Sequence, residues 1–126
     1  MFNHLSFGVT DLERSRIFYD AVLTTLGYRC TKQTKEDVAY GPGSDSLFFL
    51  YPASGQKVAG PGTHLAFDAP DEEAVRKFFA AAIDAGGRAV RPPGPRPELG
   101  PDYFGTVIDD PDGHRLEVVV AAVTMH

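Results

Sequence analysis

The stretch Asp110-Pro111-Asp112-Gly113-His114-Arg115-Leu116-Glu117-Val118-Val119-Val120 decides the fold, because a tight turn in it runs directly into a strand. Pro111 fixes φ for the turn, Gly113 accepts a positive φ, and the run of valines favours a strand. Glu117 lies inside this apolar strand, where an unpaired carboxylate is costly to bury. The strand therefore predicts a partner for Glu117, and our hypothesis is a metal ion that His4 and His64 also bind.

Composition and charge indicate one compact domain, residues 1–126, with a hydrophobic core. The chain is 43% hydrophobic and 23% charged, which suits a single core. A net charge of −5 without any basic run argues against nucleic acid and anionic membranes as partners. We find no leader peptide and no apolar stretch long enough to span a bilayer. Cys30 is the single cysteine, so we expect no disulfide, a cytoplasmic location, and Cys30 in the core.

An internal repeat covers much of the chain. Residues 4–27, placed without a gap on residues 64–87, give nine identities, where average composition gives about one or two by chance. The identical pairs include His4 with His64. The match therefore predicts two copies of one supersecondary unit. We assign a first module to residues 1–52, a second module to residues 63–124, and a linker to residues 53–62.

Each module is predicted to fold in the order β-α-β-β-β, which gives an α+β fold. The first strand of each module alternates between apolar and other residues, so that His4 and Ser6 lie on the face opposite the large apolar side chains. His64 lies in the same way in the second module. The strands that follow the helices are predicted at residues 28–34, 38–40 and 47–51 in the first module and at residues 88–91, 103–108 and 116–123 in the second.

The helix starts are predicted from capping residues. Thr10 and Glu13 have the spacing of a capping box, with Thr10 as the N-cap of the first helix. Asp71 is the predicted N-cap of the second helix.

The last hairpins of the two modules align when Pro42 is matched with Pro111. Phe48 then occupies the position of Glu117. A phenylalanine neither binds a metal ion nor accepts a proton.

Residues 92–102 contain five of the ten prolines. Such a run cannot pair as a central strand, because proline lacks the N–H group that a sheet requires. The segment is either a plain surface connection or a rim over a pocket.

His4, His64 and Glu117 form the candidate metal site. Two neutral imidazoles and one carboxylate bind a divalent ion and leave positions open for water and substrate. Iron, zinc, manganese, nickel and cobalt all suit this set. Each residue alone is commonly structural, but the repeat puts both histidines at equivalent positions. His114 at the turn is expected to be solvated and His126 to fray with the chain end, so neither is a ligand candidate.

Five segments carry a family resemblance: residues 3–12, 18–19, 26–27, 64–67 and 110–117. Together they resemble the vicinal oxygen chelate superfamily, which includes glyoxalase I, bleomycin-resistance proteins, extradiol dioxygenases and fosfomycin-resistance thiol transferases. The resemblance implies paired βαβββ modules whose mixed sheets curl into a cup around a metal ion. It also implies a homodimer, in which modules of two chains can share one site. Matched position by position, His4, His64 and Glu117 are the family's metal ligands.

Departures from the family pattern narrow the expected activity. Glyoxalase I has a fourth ligand that also acts as base, and Phe48 at that position argues against glyoxalase I activity. Extradiol cleavage in the family needs further histidine and tyrosine groups, of which only Tyr103 is available. Ser6 matches a hydroxyl that fosfomycin-resistance proteins place beside the substrate, but residues 92–102 depart from their serine-rich cation loop. The proline-rich loop resembles unassigned members of the superfamily.

Three functions remain open, and the first is a metal-dependent enzyme of the lyase, isomerase or dioxygenase class. Its substrate would be a small oxygenated organic molecule with two neighbouring oxygens bound to the ion. Ser6 and Tyr103 are the predicted catalytic residues. The predicted substrate-binding residues are Arg96, which would pair with a carboxylate or phosphate, and three aromatic side chains, Phe48, Tyr51 and Phe104.

The second function is metal-free binding or sequestration of a small molecule, as in the bleomycin-resistance proteins that the chain resembles. The aromatic side chains would then form an apolar groove between two subunits. The third function is thiol transfer to the epoxide antibiotic fosfomycin. Bound metal separates the first function from the second, and protection of cells from fosfomycin tests the third.

Overall fold

The computed structural model describes residues 2–53, 58–60 and 62–120. The first module comprises β1 Leu5–Val9, α1 Leu12–Leu23, β2 Arg29–Gln33, β3 Val38–Gly41 and β4 Phe48–Pro52. The second comprises β5 His64–Asp68, α2 Glu72–Asp84, β6 Arg88–Pro95, β7 Phe104–Asp109 and β8 Arg115–Val120. The predicted linker, residues 53–62, falls partly outside the described residues, as do His126 and the predicted end of the last strand at residue 123.

The strands form two four-stranded mixed sheets with the same topology. Their orders are β1-β4-β3-β2 and β5-β8-β7-β6. In each sheet the first and last strands of the module pair in parallel, with Leu5 opposite Phe48 and Leu65 opposite Leu116, and the other pairs are antiparallel. The prediction of an α+β fold built from two paired βαβββ modules is therefore confirmed.

One hydrophobic core lies between the helices and one face of each sheet. Phe7 from β1 and Phe67 from β5 join Phe18 of α1 and Phe78 of α2 in this core. Phe18 and Phe78 are fully buried, and each such side chain contributes roughly 2–3 kcal/mol. Because side chains alternate along a strand, the other face of each sheet points away from the core.

We call that other face the open face. Residues that are paired in register lie on the same face of a sheet. The open face of the first sheet carries Ser6 and Phe49, which are paired, and Tyr51. The open face of the second sheet carries the paired Ala66 and Glu117.

The two helices begin at aspartate N-caps. Asp71 caps α2 as predicted, because its carboxylate accepts a hydrogen bond from the Ala74 amide. The prediction for α1 is wrong: the N-cap is Asp11, which accepts from the Arg14 amide at 3.0 Å. Thr10 is drawn away because its hydroxyl and amide both donate to Asp112 in the second module. No helix in the described part of the chain is long and apolar enough to cross a membrane.

The outer strands of the two sheets correct two further predictions. Cys30 is exposed rather than in the core, because it lies on β2, the outer strand of the first sheet. Strand β6 does not end at Arg91 but continues through the prolines to Pro95. It is the outer strand of the second sheet, where the N–H groups that prolines lack have no further strand to bond.

The turn at residues 110–114 packs against the first module. His114 is buried there, and the prediction of a solvated ring is wrong. Its Nε2 lies 2.7 Å from the Gly8 carbonyl oxygen, and its ring stacks on Phe7 with centroids 4.2 Å apart. Asp110 accepts a hydrogen bond of 2.6 Å from the Tyr19 hydroxyl. These contacts join the modules and fix the start of the strand that carries Glu117.

Candidate functional site

His64 and Glu117 meet on the open face of the second sheet. Glu117 on β8 is paired with Ala66, two residues after His64 on β5, so both side chains project from the same face. His64 Nε2 lies 3.5 Å from Glu117 Oε1. The side chain of Glu117 is 18% exposed and that of His64 53% exposed. The pair is thus open to solvent on its histidine side.

Tyr103 holds the second oxygen of this carboxylate. Its hydroxyl donates to Glu117 Oε2, and Arg91 Nη2 donates to the same hydroxyl at 2.9 Å. Gly105 makes the arrangement possible, because a Cβ there would lie 2.8 Å from the Tyr103 hydroxyl oxygen. Burial and the hydrogen bond to Glu117 raise the pKa of Tyr103, against the opposing effect of Arg91. The phenol therefore remains protonated at neutral pH.

Two arginines and an aspartate border His64. Arg88 and Arg115 both donate to Asp109. Burial would raise the pKa of Asp109, but the two arginines outweigh it and lower that pKa below its usual value. A cleft of about 490 Å³ opens between these residues and His64. This side of the site has room for a small molecule or for water.

His4 does not join His64 and Glu117 within the protomer. It precedes β1 in the first sheet, its Nδ1 lies 2.7 Å from the Asn3 side-chain oxygen, and its ring meets Phe49 edge to face. Among the residues that the structure describes, no group of three or more His, Cys, Asp and Glu side chains could hold a metal ion. One chain therefore brings together two of the three predicted ligands.

The donor atoms of His64 and Glu117 nevertheless fit a divalent metal ion. An imidazole nitrogen and a carboxylate oxygen are both common ligands of first-row ions. With metal–ligand bonds of about 2 Å, two atoms 3.5 Å apart can reach one ion. Tyr103 orients the carboxylate, as partners of metal ligands commonly do. The second sheet thus offers a fitting half of a metal site.

The position equivalent to Glu117 in the first module belongs to Phe49, and its assignment to Phe48 is wrong. Ser6, the equivalent of Ala66, is paired with Phe49. The reason is the place of the proline in the turn. Tyr40 pairs with Phe48 and Ile108 with Leu116, so the two hairpins span the same number of residues. Pro42 follows Tyr40 by two residues whereas Pro111 follows Ile108 by three, so matching the prolines shifts the alignment by one residue. Phe48 is only 3% exposed and packs on Phe7 and Phe67 in the core, so a substrate on the open face would meet Phe49 instead.

The remaining predicted residues are divided between the two sheets. Phe104 is buried on the helix side of β7 with the Arg76 guanidinium over its ring, so it does not line the open face as predicted. Ser6 and Tyr51 lie on the open face of the first sheet, where the Tyr51 ring stacks on Phe49. Neither of them contacts the His64 and Glu117 pair within the described residues.

Arg96 lies on the loop after β6 and pairs with Glu98. Its assignment to substrate binding stays a prediction. Arg91, which the sequence analysis did not select, donates to the Tyr103 hydroxyl that is bonded to Glu117. The two prolines after Arg91 indicate that this strand pairs irregularly, but they do not show in which direction the Arg91 side chain points.

Comparison with known proteins agrees with the fold. The model of the Glyoxalase/Bleomycin resistance protein/Dioxygenase superfamily matches residues 1–118. No curated protein matches the chain. A solved glyoxalase/bleomycin resistance protein from Albidiferax ferrireducens is 34% identical, with a TM-score of 0.83 over 95% of this chain and 98% of that chain.

Two fosfomycin resistance proteins share the fold. FosX from Mesorhizobium loti is 22% identical, with a TM-score of 0.71 over 98% of this chain and 94% of that one. A mutant of FosX from Listeria monocytogenes, in complex with Mn(II) and a dihydroxypropylphosphonic acid, is 15% identical, with a TM-score of 0.72 over 98% and 91% of the two chains. From the match over residues 1–118 and the 34% identical relative, the chain belongs to the Glyoxalase/Bleomycin resistance protein/Dioxygenase superfamily.

Proposed function

We propose that this protein is a metal-dependent enzyme that acts on a small oxygenated organic molecule. The observation that carries the proposal is the pair of donor atoms on His64 and Glu117, 3.5 Å apart, with Tyr103 bonded to the carboxylate. Membership of the superfamily supports it, and one structural neighbour, the Listeria FosX mutant, contains Mn(II). Iron, zinc, manganese, nickel and cobalt all suit the donor set.

The side chains of the site have distinct roles in this proposal. A bound divalent ion would supply Lewis acidity that stabilises negative charge on a substrate oxygen. His64 would provide a neutral nitrogen, and Glu117 an oxygen that Tyr103 keeps in position. The Tyr103 hydroxyl, which donates to Glu117, lies beside the ligand pair and could transfer its proton to a substrate atom as a general acid.

We further propose that the third ligand is His4 of the partner subunit in a homodimer. The open faces of both sheets carry exposed side chains, among them Ser6 on the first sheet and His64 on the second. Exposed apolar side chains surround His4: Phe2 is 91% exposed, and Leu5 and Leu47 are also exposed. A second copy of the chain would cover this apolar surface and could bring the first sheet of one protomer against the second sheet of the other.

The predicted residues of the first sheet gain a place in such a dimer. Ser6 and Tyr51 would stand with His4 on the wall opposite His64 and Glu117, with Ser6 able to bond a substrate oxygen. Arg96 could reach a substrate anion only by leaving Glu98, so its role requires a movement of the loop.

The first experiment measures bound metal in protein purified without chelator. We expect near-equimolar metal in the wild type and its loss in His64→Ala, while circular dichroism shows both proteins folded. Lys77→Ala, which alters an exposed residue of α2, is the matched control and should keep its metal. Wild-type protein that stays metal-free after loading with each of the five ions would refute the proposal.

A second experiment tests whether the site is shared. Protomers carrying His4→Ala and protomers carrying His64→Ala are each expected to lose metal. In a mixed dimer with shared sites, one site receives His4 from one chain and His64 with Glu117 from the other, so half of the wild-type metal content returns. If all ligands came from one chain, mixing would restore none.

The exposed apolar surface around His4 favours one alternative, a metal-free binding protein. The stacked Phe49 and Tyr51 would then form part of an apolar groove for a flat organic ligand. The alternative predicts ligand binding that depends on Phe49 and survives His64→Ala. Loss of binding with the loss of metal would exclude it.

Thiol transfer to fosfomycin is supported by fold likeness to FosX alone. It predicts that cells expressing the protein grow in fosfomycin, and that Glu117→Gln abolishes this protection. Growth equal to that of cells carrying an empty vector would remove this alternative.

A further inference from the structure

We propose that Arg91 binds an anionic oxygen group of the substrate, a carboxylate or a phosphoryl group, next to the metal site. This inference rests on the proposed function, because it concerns the substrate of the same site. It assigns to Arg91 the role that the sequence predicted for Arg96, and it adds a substrate class: small acids whose anionic group lies close to the oxygens that react.

Arg91 lies between two irregularities in the pairing of strand β6. Strand β6 shifts its register on both sides of this residue, between Ala89 and Arg91 and between Arg91 and Gly94. Such bulges change the direction in which a side chain points and are common beside active sites. The Arg91 carbonyl accepts a hydrogen bond of 2.7 Å from the Thr106 hydroxyl, and the prolines that follow restrict the chain further.

The guanidinium of Arg91 has donors to spare. It is half-buried, and its hydrogen bond is to the Tyr103 hydroxyl, with its Cζ 5.7 Å from the centre of that ring. Arginine carries five N–H donors. Within the described residues, no carboxylate lies within 4.0 Å of Arg91. A half-buried cation with unused donors is the usual form of a receptor for a planar anion.

The neighbouring arginines differ from Arg91 in this respect. Arg88 and Arg115 share Asp109, and Arg96 pairs with Glu98. Their charges are already balanced in part by carboxylates of the protein. Arg91 makes no ion pair within the described residues. Its charge nevertheless acts on Glu98, whose pKa is lowered first by hydrogen bonds from its own backbone and from Arg96 and then by the charges of Arg96 and Arg91. The Tyr103 hydroxyl links Arg91 to Glu117.

The net charge of the completed site also favours an anionic substrate. A divalent ion contributes two positive charges, and Arg91, Arg88 and Arg115 add three. Glu117 and Asp109 contribute two negative charges, which leaves an excess of three positive charges. A partly buried excess of this size is costly unless a ligand neutralises it. A neutral substrate would leave that cost in place, whereas a mono- or dianion would reduce it and would be attracted to the site.

The position of Arg91 limits the size of the substrate. Its Nη2 binds the hydroxyl that also binds Glu117, so an anion on Arg91 lies immediately beside Tyr103 and the ligand pair. A substrate that touches both needs only a few atoms between its anionic group and its chelating oxygens. Hydroxy acids and hydroxyphosphonates have this form.

The test is anion binding by the full-length protein, followed by isothermal calorimetry and by the NMR signal of the Arg91 Nε–H group. Lactate and inorganic phosphate are the probes, used separately to distinguish a carboxylate from a phosphoryl ligand. Each is titrated into metal-free and metal-loaded protein. We expect at least one probe to bind both forms and to shift the Arg91 signal.

Arg91→Gln should weaken that binding at least tenfold in both forms, and Arg91→Lys should weaken it less, because lysine keeps the charge and loses the fork. Arg76→Gln, which removes an exposed arginine on the helix side of the second sheet, is the matched control and should change affinity less than twofold. Equal binding by wild type and Arg91→Gln, or an equal loss in Arg76→Gln, would overturn the inference. Circular dichroism identifies a variant that fails to fold, and the wild-type NMR shift then decides the matter.

The outcomes separate this inference from the proposed function. Anion binding that depends on Arg91 in a protein that never takes up metal would support the anion site and refute the metal enzyme. Metal binding that depends on His64, together with no response of Arg91 to either probe, would do the reverse.

Discussion

The open faces of the two sheets come from equivalent residues of a duplicated unit, yet they carry different chemistry. In the first sheet Ser6 is paired with Phe49, whose ring lies between His4 and Tyr51. In the second sheet Ala66 is paired with Glu117, which bonds Tyr103 and faces His64. A histidine stands at the same position of both modules, whereas its neighbour on the paired strand is aromatic in one and acidic in the other.

This difference indicates that the two modules took on different roles after the duplication. A carboxylate beside a histidine can hold a metal ion, and an aromatic ring beside a histidine can only pack against it or against a ligand. In the proposed site the second module would supply the charged groups, and the first would supply one nitrogen and an apolar wall. A complete site needs both faces, which is why we propose that two protomers contribute to it.

The largest expected effect comes from Glu117→Gln, which removes the negative charge beside His64. The amide keeps the volume of the side chain but loses its charge, so we expect metal affinity to fall at least about 100-fold, equivalent to roughly 2.7 kcal/mol. Competition with a chelating dye measures the affinity. The metal-free variant should unfold at nearly the same urea concentration as the metal-free wild type.

Phe49→Leu is the control at the matched position of the first sheet. It retains an apolar side chain beside His4 and should change metal affinity by no more than a few fold. If Glu117→Gln kept its metal, or if it unfolded while the wild type proved metal-free, Glu117 would be a structural residue and the contrast between the faces would have no bearing on metal binding.

A smaller effect is expected from Tyr19→Phe, which tests how the second module is held against the first. The Tyr19 hydroxyl donates to the buried carboxylate of Asp110 at 2.6 Å. Removing the donor leaves that oxygen without its partner, at an expected cost of about 1–3 kcal/mol in the free energy of unfolding. Urea denaturation measures this value.

Tyr40→Phe provides the comparison within the first module. The Tyr40 hydroxyl donates to Asp20 at 2.8 Å, but the Asp20 side chain is partly exposed, so water can replace the lost donor and the expected cost is below about 1 kcal/mol. Equal losses in the two variants would mean that the contact between Asp110 and Tyr19 contributes no more to the free energy of unfolding than a contact within one module.

The sequence predicted the architecture well because the repeat records it directly. Nine identities between the copies place His4 and His64 on equivalent strands, and Glu117 stands out as an acid in an apolar strand. What failed depends on contacts between distant parts of the chain. His114 is buried by its contact with the Gly8 carbonyl, which is 106 residues away in the sequence. The residues of the turn alone cannot predict that contact.

The errors at the site have a different origin, which is register. Pro42 lies one residue earlier in its turn than Pro111, so matching the two prolines puts Phe48 where the structure places Phe49. A shift of one residue exchanges the faces of a strand. Arg91 was missed for a related reason. Its direction depends on two bulges in β6, and bulges are set by how neighbouring strands pair rather than by the residues of one strand.

The smallest expected effect concerns Asp109, which is paired with Arg115 on the open face of the second sheet. Arg115 and Arg88 lower its pKa although burial alone would raise it. A carboxylate with a lowered pKa stabilises the folded protein above the pKa of its unfolded form, near 4, and this contribution is lost as pH falls through the lower pKa of the folded form. Both arginines are largely exposed, so the contribution is expected to be below about 1 kcal/mol.

Asp109→Asn should therefore lower the stability at pH 7 slightly and flatten the loss of stability between pH 5 and pH 2. Urea denaturation across this pH range measures the slope. Glu73→Gln, which alters an exposed ion pair on α2, is the control and should leave the slope nearly unchanged. If Asp109→Asn kept the slope of the wild type, the ion pairs of Asp109 would not stabilise the second sheet. Ligand binding alone would then explain the charges of these ion pairs on the open face.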